Sequence, residues 1–390
     1  SEAAASRVLT LTDGVDENRY QHVLELLVRV RCERGDMRAA METARLQLQR
    51  AEDVGDPRAI ATAHASLGMA LLLADHVQEA ARHYETACEG AAALGDVVLE
   101  IHALSDLAGC RHAEGSFATC IDLLTRAREL AERISYRRHL AYNLLNEAEL
   151  RSTLGDPAAG ACAAVAVQRS LGLGDPGAAA NAVHTWVGSD PHLVVSARVW
   201  RRLLDVELTL GRWGYAAEAG VELALAEART GHASRARRDA DDATRRMDPA
   251  EQPQVQLRAD LARLLAAAGP RVSRTPGQSA ALLDGLSDLA GGGGLTEVQR
   301  AEIAVERWRA TRDEHDREAA TELLQAAFAV EPSAVVRSWC LETSTVPTAT
   351  PPPLPPPVGI ARLRTTRHQF DDALSAVEAA ATHQGLARSG

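Results

Sequence analysis

Lysine is absent from the 390 residues, and all 42 basic residues are arginine. A Walker A phosphate loop, Schiff-base chemistry and ε-amine modification each need the lysine nitrogen, so the usual route to ATP or GTP hydrolysis is excluded. No HExxH, GxSxG, kinase or dinucleotide pattern occurs, and no nucleophile, base and orienter can be placed on adjacent helices, which argues against catalysis. His315 and Glu318 stand one helical turn apart, a spacing that could hold a divalent metal. Acidic residues in a first turn need no metal, however, because they favour the helix dipole. Six cysteines (Cys32, Cys88, Cys110, Cys120, Cys162 and Cys340) include no CxxC pair and read as reduced core residues. Arg235, Arg237, Arg238, Arg245 and Arg246 form the densest basic cluster, but Asp239, Asp241 and Asp242 lie among them and internal pairing along a helix explains it best. The run Gly291–Gly294 lacks the strand and lysine of a phosphate loop and reads as a connector. Neither cofactor nor metal is expected.

The elements that must carry these residues follow from composition. Aromatics make up 3% of the chain while AVILMFWYC residues reach 46%, so the core is built from alanine, leucine and valine, the mixture of closely packed helices. An all-α protein is expected. A net charge of -11 argues against a nucleic-acid surface, which needs a concentrated basic face. No run of eighteen apolar residues and no signal pattern is present, so no membrane span and a cytoplasmic location are expected. Arginine in place of lysine, with abundant alanine and glycine, fits a GC-rich bacterial genome. One compact core is unexpected at this length; two or three domains or a repeat array are the choices.

Turn signals recur at a fixed step. Gly35-Asp36, Asp75-His76, Gly115-Ser116 and Gly155-Asp156 lie 40 residues apart, and Gly55-Asp56, Gly95-Asp96, Ser135-Tyr136 and Gly174-Asp175 fall halfway between them. Each interval carries apolar residues at helical spacing, so the chain reads as a series of helical hairpins. Glycine suits the left-handed residue that ends a helix, and the Asp or Ser after it can cap the next. Beyond residue 176 the pattern degrades, with helical stretches from Pro176, Pro191, Gly214, His232, Glu251, Gly277, Thr296 and His315. Two pairings stay open around Leu223-Ala224, with the helix before it or the one after. The proline tract within Thr343–Pro357 is expected to be a stiff polyproline II spacer.

Leu67-Gly68 with Ala80, Tyr84 and Ala87 resembles the tetratricopeptide repeat (TPR), with small residues where helices cross. Leu107-Ala108 with Cys120, Leu124 and Ala127, Leu27-Val28 with Ala40 and Ala44, and Ala148 with Gly160 and Ala164 fill equivalent places. The step of 40 exceeds the common 34, and Leu24, His64, Leu104 and Leu144 replace the usual aromatic. The long step is similar to the extended arrays of actinobacterial signal-responsive regulators and of kinesin-light-chain-type adaptors. The resemblance implies a right-handed superhelix, an α-solenoid of antiparallel TPR-like hairpins. Ile360-Ala361, Phe370, Ala373, Val377 and Ala380 resemble one more hairpin, which could dock back on the array or belong to a longer chain.

Such arrays bind in the concave groove of their first helices. By hairpin phase the candidates are His22, Glu25, Arg29 and Glu33, then Met69 and Leu72, then His102, Ser105, Asp106 and His112, then Tyr142, Asn146, Glu149 and Ser152. The expected organisation is a lead-in over 1–16, regular repeats over 17–175, degenerate repeats over 176–342, a proline-rich linker over 343–357 and a TPR-like hairpin and tail over 358–390. The expected function is a non-catalytic interaction or sensing module that binds a peptide, protein segment or small signal within a bacterial regulatory system. The alternative is a structural scaffold or self-assembling homo-oligomer.

Overall fold

The computed structural model describes residues 17–245, 253–269, 274–351, 354, 357, 360 and 366–389, with Asn18 and 387–389 described in backbone only. The lead-in 1–16, Arg246, Ala361 and most of the proline tract lie outside the described residues. Among the described residues there are helices and no strands: α1 Glu17–Arg34, α2 Met37–Val54, α3 Pro57–Leu73, α4 Val77–Leu94, α5 Val97–Ala113, α6 Phe117–Arg133, α7 Arg137–Thr153, α8 Ala159–Gly172, α9 Pro176–Gly188, α10 Pro191–Val194, α11 Ala197–Leu210, α12 Trp213–Arg229, α13 Ala233–Thr244, α14 Pro253–Ala268, α15 Pro276–Ala290, α16 Glu297–Thr311, α17 Glu314–Val330, α18 Ala334–Thr343 and α19 Arg367–Ser389. The chain is an all-α solenoid in which successive helices pack on their neighbours. It divides into two compact units, one up to Asn146 with Arg212–Gly214, the other from Glu147 onward.

The turns form for the reasons their residues suggest. Gly35, Gly55, Gly95, Gly115, Gly155 and Gly174 all adopt positive φ, and the two positions without glycine, Asp75 and Ser135, are forced into the same region at φ 65° and 55°. Asp36, Asp56, Asp96 and Asp175 then accept hydrogen bonds from backbone amides of the following helix, satisfying donors a helix start leaves free. Ser116 and His76 hold the same position without a side-chain cap.

In the first unit α1, α3, α5 and α7 are first helices of hairpins, and α2, α4 and α6 are second helices. Each second helix buries one stripe spaced by four, three and four residues: Ala40, Ala44, Gln47, Ala51 in α2; Ala80, Tyr84, Ala87, Ala91 in α4; Cys120, Leu124, Ala127, Ala131 in α6. α4 lies between α3 and α5, and its Tyr84 ring covers Gly68, where an added Cβ would sit 3.0 Å from the ring. First helices also touch one another, α1 with α3 and α3 with α5, more than second helices do.

The second unit departs from the regular scheme in three places. The stretch expected as one helix from Pro191 is a single turn, α10, then a new start at Ser196; Trp200 Nε1 donates to Val194 O at 2.6 Å across the break. α12 is buried on most sides: Gly220 approaches Ala243 of α13 within 3.0 Å of an ideal Cβ, while Glu227 accepts from Arg201 of α11 at 3.3 Å. It therefore packs on both helices that the sequence left open as partners. After the proline tract the described residues include one helix, α19, which docks back against α8, α9 and α11; the expected first helix of a hairpin there falls mostly outside the described residues.

Left-handed backbone costs an L-residue about 1 to 2 kcal/mol. Ser135→Gly is expected to raise stability by about 0.5 to 1 kcal/mol and Gly55→Ala, whose added Cβ meets nothing within 4 Å, to lower it by about 1 kcal/mol. Thermal unfolding of the two variants checks both signs.

Candidate functional site

The first helices of the first unit place their polar residues by helical spacing. On α5, His102, Ser105 and Asp106 fall at i, i+3 and i+4; on α7, His139, Tyr142 and Asn146 fall at i, i+3 and i+7, with Tyr136 at the turn before. These two rows meet. The His102 ring stacks on Tyr136 (centroids 5.7 Å apart, planes at 10°) and on His139 (5.3 Å, 19°), and His139 meets Tyr142 edge-on at 5.8 Å. His102 Nε2 and the Tyr136 hydroxyl share a hydrogen bond of 3.1 Å, and Ser105 Oγ and His139 Nε2 one of 2.7 Å. The Tyr142 hydroxyl donates to Asp106 Oδ1 at 3.4 Å, a long bond for a carboxylate.

Burial governs the charges of this cluster. It pushes the Asp106 carboxyl up to about 7, against the opposing pull of the Tyr142 hydroxyl and the Arg29 guanidinium. Burial, reinforced by His102, pushes His139 down to about 3, and burial lowers His102 as well. The His102 and His139 imidazoles are therefore held neutral, and the Asp106 carboxyl stands well above the ordinary carboxylate range.

The remaining expected residues are distributed differently. Arg29 donates to Glu25 at 2.9 Å, and His22 lies 3.5 Å from Glu25, all one turn apart on α1. Met69 and Leu72 are half-buried against the apolar core beneath this face. His112 packs near Phe117 at 6.0 Å, on the side of α5 that meets α6, and burial lowers it to about 4. Glu149 belongs to the second unit, where burial raises it to about 7 against a hydrogen bond from Thr185. His315 and Glu318 are exposed on the first turn of α17, and among the described residues no three metal-ligating side chains gather.

Tyr136 and His139 complete the ring cluster but were not among the sequence candidates. The available signal was the step of three residues from Tyr136 to His139 and from His139 to Tyr142. A second pair, His64 and His83, joins α3 to α4 with Nδ1 atoms 2.8 Å apart; burial lowers both, so one neutral ring donates to the other. The second unit also holds a lattice of charges. Arg229 of α12 donates to Glu302 (2.8 Å) and Glu306 (3.0 Å) of α16, Arg258 of α14 donates to Glu302 at 2.9 Å, and Arg309 donates to Glu306 at 2.8 Å. Burial raises Glu302, yet Arg258 and Arg229 outweigh it and hold the carboxyl below its ordinary range. In the basic cluster of α13, Asp239 pairs with Arg201 and Asp241 with Arg263 of neighbouring helices, while Arg245–Asp242 is a pairing along the helix of the expected kind.

No family model matches the chain, and no curated protein matches it. A solved structure described as a circular tandem repeat protein with novel repeat topology and enhanced subunit contact surfaces is similar at 13% identity, over 100% of this chain and 99% of its own, with a TM-score of 0.22.

Two outcomes follow from the charges. His139 is depressed in the folded state, so its contribution is fully present above the ordinary histidine pKa of 6.5 and is lost as pH falls toward about 3. His139→Gln, which keeps a partner for Ser105, is expected to flatten the loss of stability between pH 6.5 and 4 in urea titrations. Glu302→Gln leaves two half-buried guanidiniums, Arg229 and Arg258, with one carboxylate partner fewer each and is expected to cost about 2 kcal/mol at pH 7. The deficit should shrink in acid as the wild-type carboxyl protonates.

Proposed function

We propose that this chain is a non-catalytic interaction and sensing module, TPR-like in its first unit, whose first-helix face receives a protein segment carrying a basic side chain. The observation that carries the reading is the neutral ring cluster of His102, Tyr136, His139 and Tyr142 beside the poorly partnered carboxyl of Asp106. Ring faces attract a desolvated cation, and a carboxylate at the edge of such a cluster supplies its counter-charge. Burial that disfavours the lone carboxylate is relieved when a cation arrives, so binding and deprotonation of Asp106 are coupled. Glu25, Arg29 and His22 on α1 offer charged contacts to flanking residues of the same segment, and Met69 an apolar one. Asn146 extends this face along α7. Glu149 and Ser152, further along α7, belong to the second unit.

Repeat arrays suit this role because each hairpin contacts only its neighbours, so a ligand that bridges α5 and α7 biases their rotation and passes strain along the unit. A place in a bacterial regulatory system, in the cytoplasm, is part of the same reading. No helix among the described residues is long and apolar enough to cross a membrane.

The test uses a library of extended peptides that differ at one position between arginine, lysine, citrulline and norleucine. Arginine or lysine peptides should bind at least tenfold tighter than their neutral counterparts, and Asp106→Asn should remove the preference. Calorimetry at pH 6 in buffers of different ionisation enthalpy should register release of close to one proton per peptide bound. Equal binding of charged and neutral peptides, with no proton released, would discard cation recognition at Asp106.

A further inference from the structure

α19 fills a slot that the chain leaves open. In the first unit α4 is inserted between α3 and α5; in the second, α9 is followed only by the single turn α10, and the place between α9 and α11, beside α8, is taken by α19. The helix is built for it. Phe370, Leu374, Val377 and Ala381 are at most 1% exposed and repeat the spacing of four, three and four found in the other second helices. Phe370 meets Trp186 of α9 edge-on at 5.4 Å, and the backbone of Gly385 passes so close to α11 that an added Cβ would lie 3.2 Å from Thr209.

A polar clamp supplements the stripe. Arg202 of α11 donates from Nε to Glu378 Oε1 at 2.6 Å and from Nη2 to Glu378 Oε2 at 2.8 Å and Ser375 Oγ at 2.9 Å, while Nη1 reaches Asp371 at 3.3 Å. Asp371 and Glu378 follow the first and third stripe residues. The equivalent positions are Met41 and Leu48 in α2, Ala81 and Cys88 in α4, Ile121 and Arg128 in α6. None of these second helices carries two carboxylates there, so Arg202 distinguishes α19 from them.

We propose that α19 is an exchangeable helix, which completes the α9–α11 slot of a second copy of this chain as well as its own, so that two copies can trade α19 reciprocally. The connection from α18 to α19 is held to α17 as far as Thr348, whose amide donates to Gln325 Oε1 at 2.9 Å, and residues 350–366, which include the proline tract, could span on the order of 50 Å at about 3.1 Å per residue if extended. Such a length lets the helix leave its own slot while α9, α10 and α11 keep their mutual contacts. A vacated slot exposes Trp186 and the apolar flank of α11, and the element of matched stripe and charge that every copy carries is α19 itself. The exchange adds no contact absent from the closed chain, so concentration and tether geometry set its balance.

Charge reversal tests this in the full chain. Arg202→Glu sets a carboxylate against the acidic helix, and the double variant Asp371→Arg with Glu378→Arg sets Arg202 against a basic helix. Each variant alone has a like-charge clash in the closed form, but a reciprocal exchange between the two restores opposite charges in both slots. The mixture is expected to form a 1:1 heterodimer at twice the chain mass by light scattering, with circular dichroism returning to the wild-type signal. Arg202→Gln mixed with the double variant serves as the control and should dimerise at least tenfold less. A mixture of the charge-reversed variants that keeps the mass and helicity of its separate components overturns the proposal. So does equal dimerisation in the control. Neither readout involves the Asp106 site, so this result is independent of peptide binding.

Discussion

Close approach of helices through alanine-sized residues is the constraint on which the rest of this structure depends. Packed helix axes lie about 8 to 10 Å apart depending on the side chains at the crossing, and the closest approach is reached only where those are small. Along α2, α4 and α6 the buried stripe is mostly alanine, and its one aromatic member, Tyr84, is accommodated because Gly68 lies opposite. A core assembled this way has little width to spare, which accounts for an aromatic content of 3% in a chain with so much apolar surface to bury. It also means that no hairpin buries its faces alone; each needs a neighbour on both sides.

The same packing decides what the polar residues do. Second helices bury one stripe against the first helices beside them, so charge and ring systems occupy the faces that packing leaves over. In the first unit burial holds the imidazoles of His102 and His139 neutral and pushes the Asp106 carboxyl upward. In the second there is a dense alternation of guanidinium and carboxylate from α12, α14 and α16. An all-arginine composition suits that lattice: one planar fork engages two carboxylates at once, as Arg229 does with Glu302 and Glu306, where a lysine ammonium is a single point of charge. One fold thus carries a cluster of stacked rings beside a raised carboxyl and, apart from it, a lattice in which guanidiniums are answered by carboxylates.

How far the sequence discloses this arrangement depends on how local each feature is. The left-handed turns are spelled out by Gly-Asp dipeptides, and even the exceptions, Asp75 and Ser135, were placed by the period because the register of their neighbours left no alternative. His102, Asp106 and Tyr142 were legible as members of one face, since helical phase alone aligns them. Tyr136 and His139 were not, because a turn residue and the first apolar-flanked histidine after it carry no sign of the ring stack that depends on distances between α5 and α7. The lattice of Arg229, Arg258 and Glu302 was hidden for a similar reason. Each residue occurs in an ordinary mixed segment, and only the packing of three helices far apart in sequence desolvates them together.

The position of α19 shows why chain order is a weak guide to which helix fills a slot. Closing a longer loop costs only about 0.6 kcal/mol for each doubling of its length, so a helix supplied from far along the chain competes well with a local one. Replacing a second helix after α9 by the single turn α10 therefore leaves a vacancy that a remote segment can occupy at modest entropic cost. The apolar stripe makes α19 acceptable in any such place, because every second helix in the first unit has the same one. What assigns it to this place is Arg202, whose carboxylate partners stand at positions where those helices are mostly apolar or, at Arg128, basic. The stripe fixes that a helix fits; the charges fix which helix.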